Sequence, residues 1–379
     1  MNKKLLLPLV SIVPLMLTAC QGTVDYKTHL DDYVYAMQYH DNFNILQLTD
    51  IHWNANSSTS ASKVYLEKVL KEADAHIKAA QGNGGKIDLI EITGDQFMLA
   101  NTYHVRTFLD FFEKKASELG FVYTVIWGNH DRHGLYNPNW LSDQFKKAKH
   151  CIYLEPNDNL YGRSNFVINL TTDGTMASNT VWQIANLDSG AAFSETAVSP
   201  FKDYDYIREE QVDWWLREHE KANNAPTIAY YHIPQQDNLE AWDAIHKNGE
   251  ALKHKYFKLE VFADNGNPEY ASSFIRAGST HNLKAAFMGH AHNVDWTVEY
   301  KGVVLGLGVK SGPELYFAHI KTNDQTPEMV EGLASVGITE DFDLIGASLV
   351  TIKDDNNFDL EHLYYNEREV KDFVKWVKW

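Results

Sequence analysis

Residues 121–131 read Phe121-Val122-Tyr123-Thr124-Val125-Ile126-Trp127-Gly128-Asn129-His130-Asp131. A run of β-branched and aromatic residues, the composition of a buried strand, stops on a glycine and is followed at once by an amide, an imidazole and a carboxylate. The same pattern recurs in four other places. Ile45-Leu46-Gln47-Leu48-Thr49 runs into Asp50-Ile51-His52, and the apolar run 87–92 is followed by Gly94-Asp95. Run 227–231 ends on His232, and run 284–288 on Gly289-His290-Ala291-His292. Amphipathic stretches lie between them. Residues 61–80 carry Val64, Leu66, Val69 and Leu70 near one face and are closed by Gly82, Gly84 and Gly85; 105–119 and 207–220 also read as helices. A further strand is expected over 181–187. Strands alternating with helices predict a layered α/β fold. In such folds ligands bind beyond the carboxyl ends of the strands, where distant parts of the chain converge.

In extended chain, residues i and i+2 share a face. Asp50 with His52, and His290 with His292, are therefore each expected to aim two ligands at one place. Gly94, Gly128 and Gly289 stand just before key residues, where glycine permits a tight turn and close approach to an ion. The donors are His52, His232, His290, His292, Asp50, Asp95 and Asn129. They exceed what one tetrahedral zinc takes and suit two divalent ions with a bridging carboxylate. Neither cysteine, Cys20 or Cys151, is among them, which excludes a Cys-ligated structural zinc. Singly, each element is weak: a Gly-Asp pair is usually a turn, and a lone histidine usually packs in a core. All of them in order, each after a strand, carry the chemistry.

The set D-x-H, G-D, G-N-H-D, H and G-H-x-H resembles the blocks of the calcineurin-like metallophosphoesterase superfamily, across residues 50–292. The resemblance implies a four-layered α/β/β/α sandwich with a dinuclear metal site at the strand ends. It implies a first metal on Asp50, His52, Asp95 and His292, and a second on Asp95, Asn129, His232 and His290, with Asp95 bridging. A hydroxide held between the ions would attack phosphorus. His130 would not be a ligand; it would contact the phosphoryl group or protonate the leaving oxygen, with Asp131 orienting it. The ions would be manganese, iron or zinc, which these ligands do not separate. Leu187-Asp188-Ser189-Gly190, Tyr206-Ile207 and Gln211-Val212-Asp213-Trp214-Trp215 further resemble a phosphatase branch related to purple acid phosphatases. Two departures bear on the metal. Met98 stands where the purple enzymes place a tyrosine, and His52 is present where they lack a histidine, so a tyrosinate–iron site is not expected. The expected activity is hydrolysis of a phosphate-ester substrate. A phosphodiesterase or nucleotidase, and a non-catalytic binding protein on the same fold, are the alternatives. His104, His133, Arg163 and Asn165 read first as surface or packing residues and second as substrate contacts, and Trp214 and Trp215 as core.

The whole chain agrees with a soluble domain. It has 379 residues, 44% hydrophobic and 22% charged, with 10 Trp, 20 Tyr and 18 Phe to fill a core. Thirty-four Lys and Arg against 51 Asp and Glu give a net charge of −17, which argues against a nucleic-acid-binding surface. An anionic substrate would need local positive charge. At the N-terminus Lys3 and Lys4 precede an apolar run over 5–17, too short to span a bilayer, that ends Leu17-Thr18-Ala19-Cys20. This resembles a bacterial lipoprotein signal, cut before a Cys20 that is then acylated. An ordinary secretory signal containing a cysteine is the other reading. The expected division is a signal peptide over 1–19, a tether over 20–41, a catalytic domain over 42–322, and 323–379 completing that domain with an excursion, a β-hairpin and a helix. The lipid on Cys20 would hold the protein on a membrane, outside the cytoplasm. The tail places Val370, Phe373, Val374 and Val377 at helical spacing, for a helix packed on the core or lying on the membrane surface.

Overall fold

The computed structural model describes residues 33–54, 61–132, 138–154, 160–191, 204–255, 272–292, 295–313, 344–354, 356–366 and 374–379. Among these, two sheets form. The larger runs, in spatial order, β1 (Val34–Gln38), β5 (Phe166–Thr171), β6 (Thr180–Asn186), β7 (Thr227–Tyr230), β9 (Leu283–Met288), β11 (Val303–Leu307), β10 (Thr297–Tyr300) and β8 (His254–Lys255). The smaller runs β14 (Val374–Lys378), β13 (Phe358–Asn366), β12 (Leu344–Ile352), β2 (Phe43–Leu48), β3 (Leu89–Thr93) and β4 (Val122–Ile126).

Period-two alternation stacks the layers. Phe166, Ile168 and Leu170, Ile228 and Tyr230, and Ala285 and Phe287 join one buried cluster with Ile45, Leu46 and Leu48 of the smaller sheet. The residues between them, Val167, Ala229, Ala286 and Met288, face the other way. There they meet Val212, Trp214 and Trp215 of α4 (Glu209–Lys221), Ala241 of α5 (Gln236–His246), and Phe274 and Ile275 of α6 (Phe274–Ser279). On the smaller sheet, α1 (Ala61–Gln81) packs on β12 and β13, and α2 (Thr102–Leu119) on β4. The order helix, sheet, sheet, helix is the expected α/β/β/α sandwich. β2, β3 and β4 are parallel and joined through α1 and α2, so their carboxyl ends fall at one edge. β6, β7 and β9 are parallel in the larger sheet. A bridge between Thr49 and Lys310 ties the two sheets together at the end of β2.

Two expectations need correction. The tether does not extend to residue 41: Val34–Gln38 form β1, parallel to β5, with Val34, Tyr35 and Ala36 buried. Its polar neighbours hide a short apolar strand. The tail is not helical where it is described. Val374–Lys378 form β14, antiparallel to β13, with Lys378 beside Glu361 in register and 3.0 Å from Asp359. Short apolar segments fit both periods, and the open edge of β13 supplies backbone partners that a helix would leave unused. Strands β5, β8, β10 and β11 and helices α3 (Pro138–Phe145), α5 and α6 have no expectation from the sequence, being short or lacking a chemical residue at their ends. The hairpin of β12 and β13 forms around residues 353–357 as expected. The signal segment, Cys20 and the excursion over 321–343 lie outside the described residues.

Glu91 of β3 is wholly buried and faces Asn186 of β6 and Tyr230 of β7 across the sandwich. Burial pushes its carboxyl well above the usual range, and the nearby Asn186 amide opposes this only in part. The folded state therefore holds a proton that the unfolded state releases. This stability is complete below the ordinary carboxylate pKa and is lost as pH rises toward the raised value. Glu91→Gln keeps the shape and removes the titration. Its melting temperature relative to wild type should climb as pH rises above about 5; a gap that stays constant as pH rises would contradict the assignment.

Candidate metal centre

The strand ends deliver their side chains through unusual backbone. Asp50 (φ 50°), His52 (φ 45°), Asp95 (φ 52°) and His290 (φ 72°) all lie in the left-handed region, where residues other than glycine seldom go. Simple alternation along extended chain therefore does not bring Asp50 and His52 together; two left-handed residues do. Cross-strand bonds hold them there: Asp50 N donates to Gly94 O at 3.1 Å, and His52 N to Asp95 O at 3.0 Å. Such conformations cost roughly 1–3 kcal/mol each and cluster at functional sites. Glycine is required beside them for space. A Cβ on Gly94 would enter the His232 ring, and one on Gly128 would strike Asp95.

All seven expected donors converge. Asp50, His52, Asp95 and His292 offer ligand atoms within 4.8 Å of one another, as do Asp95, His232 and His290. Asp95 belongs to both groups. His52 Nε2 lies 3.0 Å from His292 Nε2 and 3.9 Å from Asp95 Oδ2; His232 Nε2 lies 3.3 Å from Asp95 Oδ2. His292 Nε2 is 3.2 Å from Asp50 Oδ1. Asn129 Oδ1 is 3.1 Å from His232 Nε2, which puts the amide on the second group's side.

The donor chemistry fits divalent cations. Asp50, His52, Asp95 and His232 are essentially inaccessible to solvent. Yet among the described residues Asp95 Oδ2, His52 Nδ1 and both ring nitrogens of His290 have no hydrogen-bond partner. Buried polar atoms without partners are costly, and a cation would satisfy Asp95 Oδ2 and one nitrogen of His290. Burial holds His52 and His290 near a pKa of about 3, so both are neutral, the ligand form. His232 is the reverse. Burial lowers it, but the Asp95 carboxylate beside it outweighs this and raises it to about 9. Asp95 in turn is pushed up by burial but carried well below the usual range by His232. Asp50 also ends below that range, because His292 outweighs its burial. A cation would replace the proton that Asp95 draws onto His232. Neighbouring groups prepare the donors: Thr93 O lies 2.8 Å from His232 Nδ1, which orients the tautomer with Nε2 toward Asp95. Thr49 Oγ1 donates to Asp50 Oδ2 at 2.7 Å, and His290 N to the same oxygen at 3.0 Å.

The sequence profile of the calcineurin-like phosphoesterase family matches residues 43–294, more than half of the chain. The chain belongs to this family. It is 25% identical over 307 residues to the probable inactive purple acid phosphatase 29 of Arabidopsis thaliana, covering 72% of this chain and 73% of that one. It is 24% identical over 302 residues to the probable inactive purple acid phosphatase 28 of the same plant, covering 72% and 71%. Both support a place in the purple-acid-phosphatase-related branch. Among solved structures it is similar to one described as "GAP50 the anchor in the inner membrane complex of Plasmodium", at 11% identity and a TM-score of 0.48, covering 89% of each chain.

As a calcineurin-like phosphoesterase, the chain places its remaining candidates as follows. His130 sits against the cluster, its ring centroid 5.1 Å from that of His52, and its backbone N donates to Asp95 Oδ1 at 2.8 Å. Asp131 is wholly buried and accepts from Phe97 N at 3.0 Å and Gly128 N at 2.8 Å. It thus fixes the turn that carries His130, where the family likeness implies an orienting partner. His104 lies in the first turn of α2, its backbone N capped by Asn101 Oδ1 at 2.9 Å, and His133 falls outside the described residues. Asn165 is wholly buried and bonded on both sides within the fold, and Trp214 and Trp215 are core. Three contributors gain their role only in the structure. Thr93 acts through its backbone carbonyl, which no side chain advertises. Ser189 Oγ accepts from Ile233 N at 2.8 Å and His232 N at 3.3 Å, and the motif around it was the signal. Tyr204 packs edge-on to His290 at 4.2 Å from a stretch with no distinctive pattern.

Proposed function

We propose that this calcineurin-like phosphoesterase hydrolyses phosphate esters at a dinuclear metal centre, on the outer side of a membrane to which Cys20 anchors it. The observation that supports hydrolysis is the complete donor set on both sides of Asp95 with His130 against it. Asp50, His52, Asp95 and His292 would hold one divalent ion, and Asp95, Asn129, His232 and His290 the other. When bound, such ions supply Lewis acidity and make a water-derived nucleophile available at neutral pH. The chain does the rest. Asp95 and Asp50 are kept anionic by the surrounding imidazoles, and His52 and His290 are kept neutral by burial. The buried cluster excludes bulk water, which strengthens every charge interaction within it. His130 stands beside the donors, where an imidazolium could give its proton to a departing alkoxide. Local cationic charge would draw in a phosphate ester although the chain as a whole is at −17.

The test is turnover of p-nitrophenyl phosphate by the manganese-loaded protein, with activity lost on chelation and regained on adding metal. Metal-loaded protein that binds phosphate but hydrolyses neither monoesters, diesters nor nucleotides would instead make this a binding protein. The anchor rests on Lys3, Lys4 and the run into Leu17-Thr18-Ala19-Cys20. Cys20→Ala should abolish acylation and shift the protein from the detergent phase to the aqueous phase on partitioning. A mature wild-type N-terminus at any residue other than an acylated Cys20 would rule the anchor out.

A further inference from the structure

The motif Leu187-Asp188-Ser189-Gly190 with Gln211 contributes no donor to the metal centre, yet it builds a second charged group on the same rim. Asp188 follows β6 and is wholly buried. Its carboxylate accepts from Arg163 N at 2.6 Å, from Gly190 N at 2.9 Å and, by a short ion pair, from Arg132 Nη2. Its backbone is held as firmly: Asp188 N donates to Asn165 Oδ1 at 2.9 Å, and Gln211 Nε2 donates to Asp188 O at 2.7 Å. Ser189 ties the same segment to His232 and Ile233.

Arg132 closes the short 3-10 turn His130–Arg132, directly after His130 and Asp131. Its guanidinium is therefore joined covalently to the Asn129–His130 side of the centre and by charge to the His232 side. Asp188 engages one nitrogen. Among the described residues Arg132 Nε is buried and has no acceptor, while the side chain keeps 19% exposure against 0% for Asp188. A guanidinium pinned by Asp188 on one side and still part-exposed on another suits a phosphoryl group, which its accessible edge can meet with N–H bonds. A monoester presents three non-bridging oxygens and up to two charges; a diester presents two oxygens and one charge.

On the phosphoester reading above, we propose that Arg132 binds the non-bridging oxygens of a terminal phosphoryl group, that Asp188 is its positioning residue, and that the pair biases the site toward phosphomonoesters over diesters. A lysine would replace Arg132 only in part, because a compact ammonium lacks the planar fork that engages Asp188 with one edge and paired phosphoryl oxygens with another.

The experiment uses the full chain loaded with manganese, as wild type, Arg132→Ala, Arg132→Lys, Asp188→Asn and the Arg132→Ala/Asp188→Asn double variant. Inorganic phosphate binding is measured by calorimetry, and kcat and KM are measured for p-nitrophenyl phosphate and bis(p-nitrophenyl) phosphate. Arg132→Ala should weaken phosphate binding roughly 10- to 100-fold, the scale of one or two charge-assisted hydrogen bonds. KM for the monoester should rise by a similar factor and kcat should change less. The diester should change by less than about threefold, since it offers fewer oxygens to the guanidinium. Arg132→Lys should recover only part of the loss. Asp188→Asn should raise KM in wild type and add nothing to Arg132→Ala, the non-additivity expected of a residue acting through its neighbour. If Asp188→Asn does not fold, the two Arg132 variants still decide. Wild-type phosphate affinity and an unchanged monoester-to-diester ratio in Arg132→Ala would overturn the proposal, as would a wild-type protein that binds no phosphate. Arg132-dependent phosphate binding without turnover of either ester would sustain it and defeat the hydrolysis reading. Turnover of both esters indifferent to Arg132 would do the opposite.

Discussion

Replacing Asp95 is expected to cost more than any other single change. Its carboxylate belongs to both donor groups, its Oδ1 accepts from His130 N at 2.8 Å, and its charge is what raises His232 to about 9. Asp95→Ala should lower bound metal from about two ions per chain to one or none. It should reduce kcat/KM by at least about 10³-fold, the scale on which one preorganised electrostatic group acts. Ala at φ 52° also carries backbone strain. Asp95→Asn is the cleaner variant, because asparagine tolerates that conformation and keeps an acceptor for His130 N. Elemental analysis of both variants is the check. An Asp95→Asn protein that folds and still holds two ions as tightly as wild type would remove Asp95 from its shared role.

The second large effect belongs to His130. It lies edge-on to His52 but is absent from both donor groups, so it can act on the substrate without holding metal. If it gives a proton to the leaving oxygen, the loss on removal should depend on what leaves. An alkoxide needs that proton and p-nitrophenolate hardly does. His130→Ala should keep its metals and lose about 10²–10⁴-fold on alkyl phosphates, the range of a positioned acid, and clearly less on p-nitrophenyl phosphate. Equal losses on both would assign the imidazole to holding phosphoryl oxygens instead. Loss of metal would make it a ligand.

The donors were legible because each ends an apolar run. Asp50, Gly94-Asp95, Asn129-His130, His232 and Gly289-His290 all mark points where a buried strand gives way to polar chemistry, and an α/β sheet gathers such points at one edge. The local geometry was not legible. Asp50, His52, Asp95 and His290 adopt left-handed backbone that no spacing rule anticipates, and they are held there by bonds to residues dozens of positions away. Residues 34–38 and 374–378 were misread for a related reason: each is a short apolar segment whose state is decided by the partner strand, β5 or β13. The Arg132–Asp188 pair joins residues 56 apart in sequence, so neither predicts the other until the strand ends meet.

The most direct measurement of the central claim is anomalous diffraction from crystals of the full chain loaded with manganese. The account predicts two anomalous peaks, one among Asp50, His52, Asp95 and His292, the other among Asp95, Asn129, His232 and His290, with Asp95 touching both. A single peak at full metal occupancy, or two peaks that share no ligand at Asp95, would contradict it.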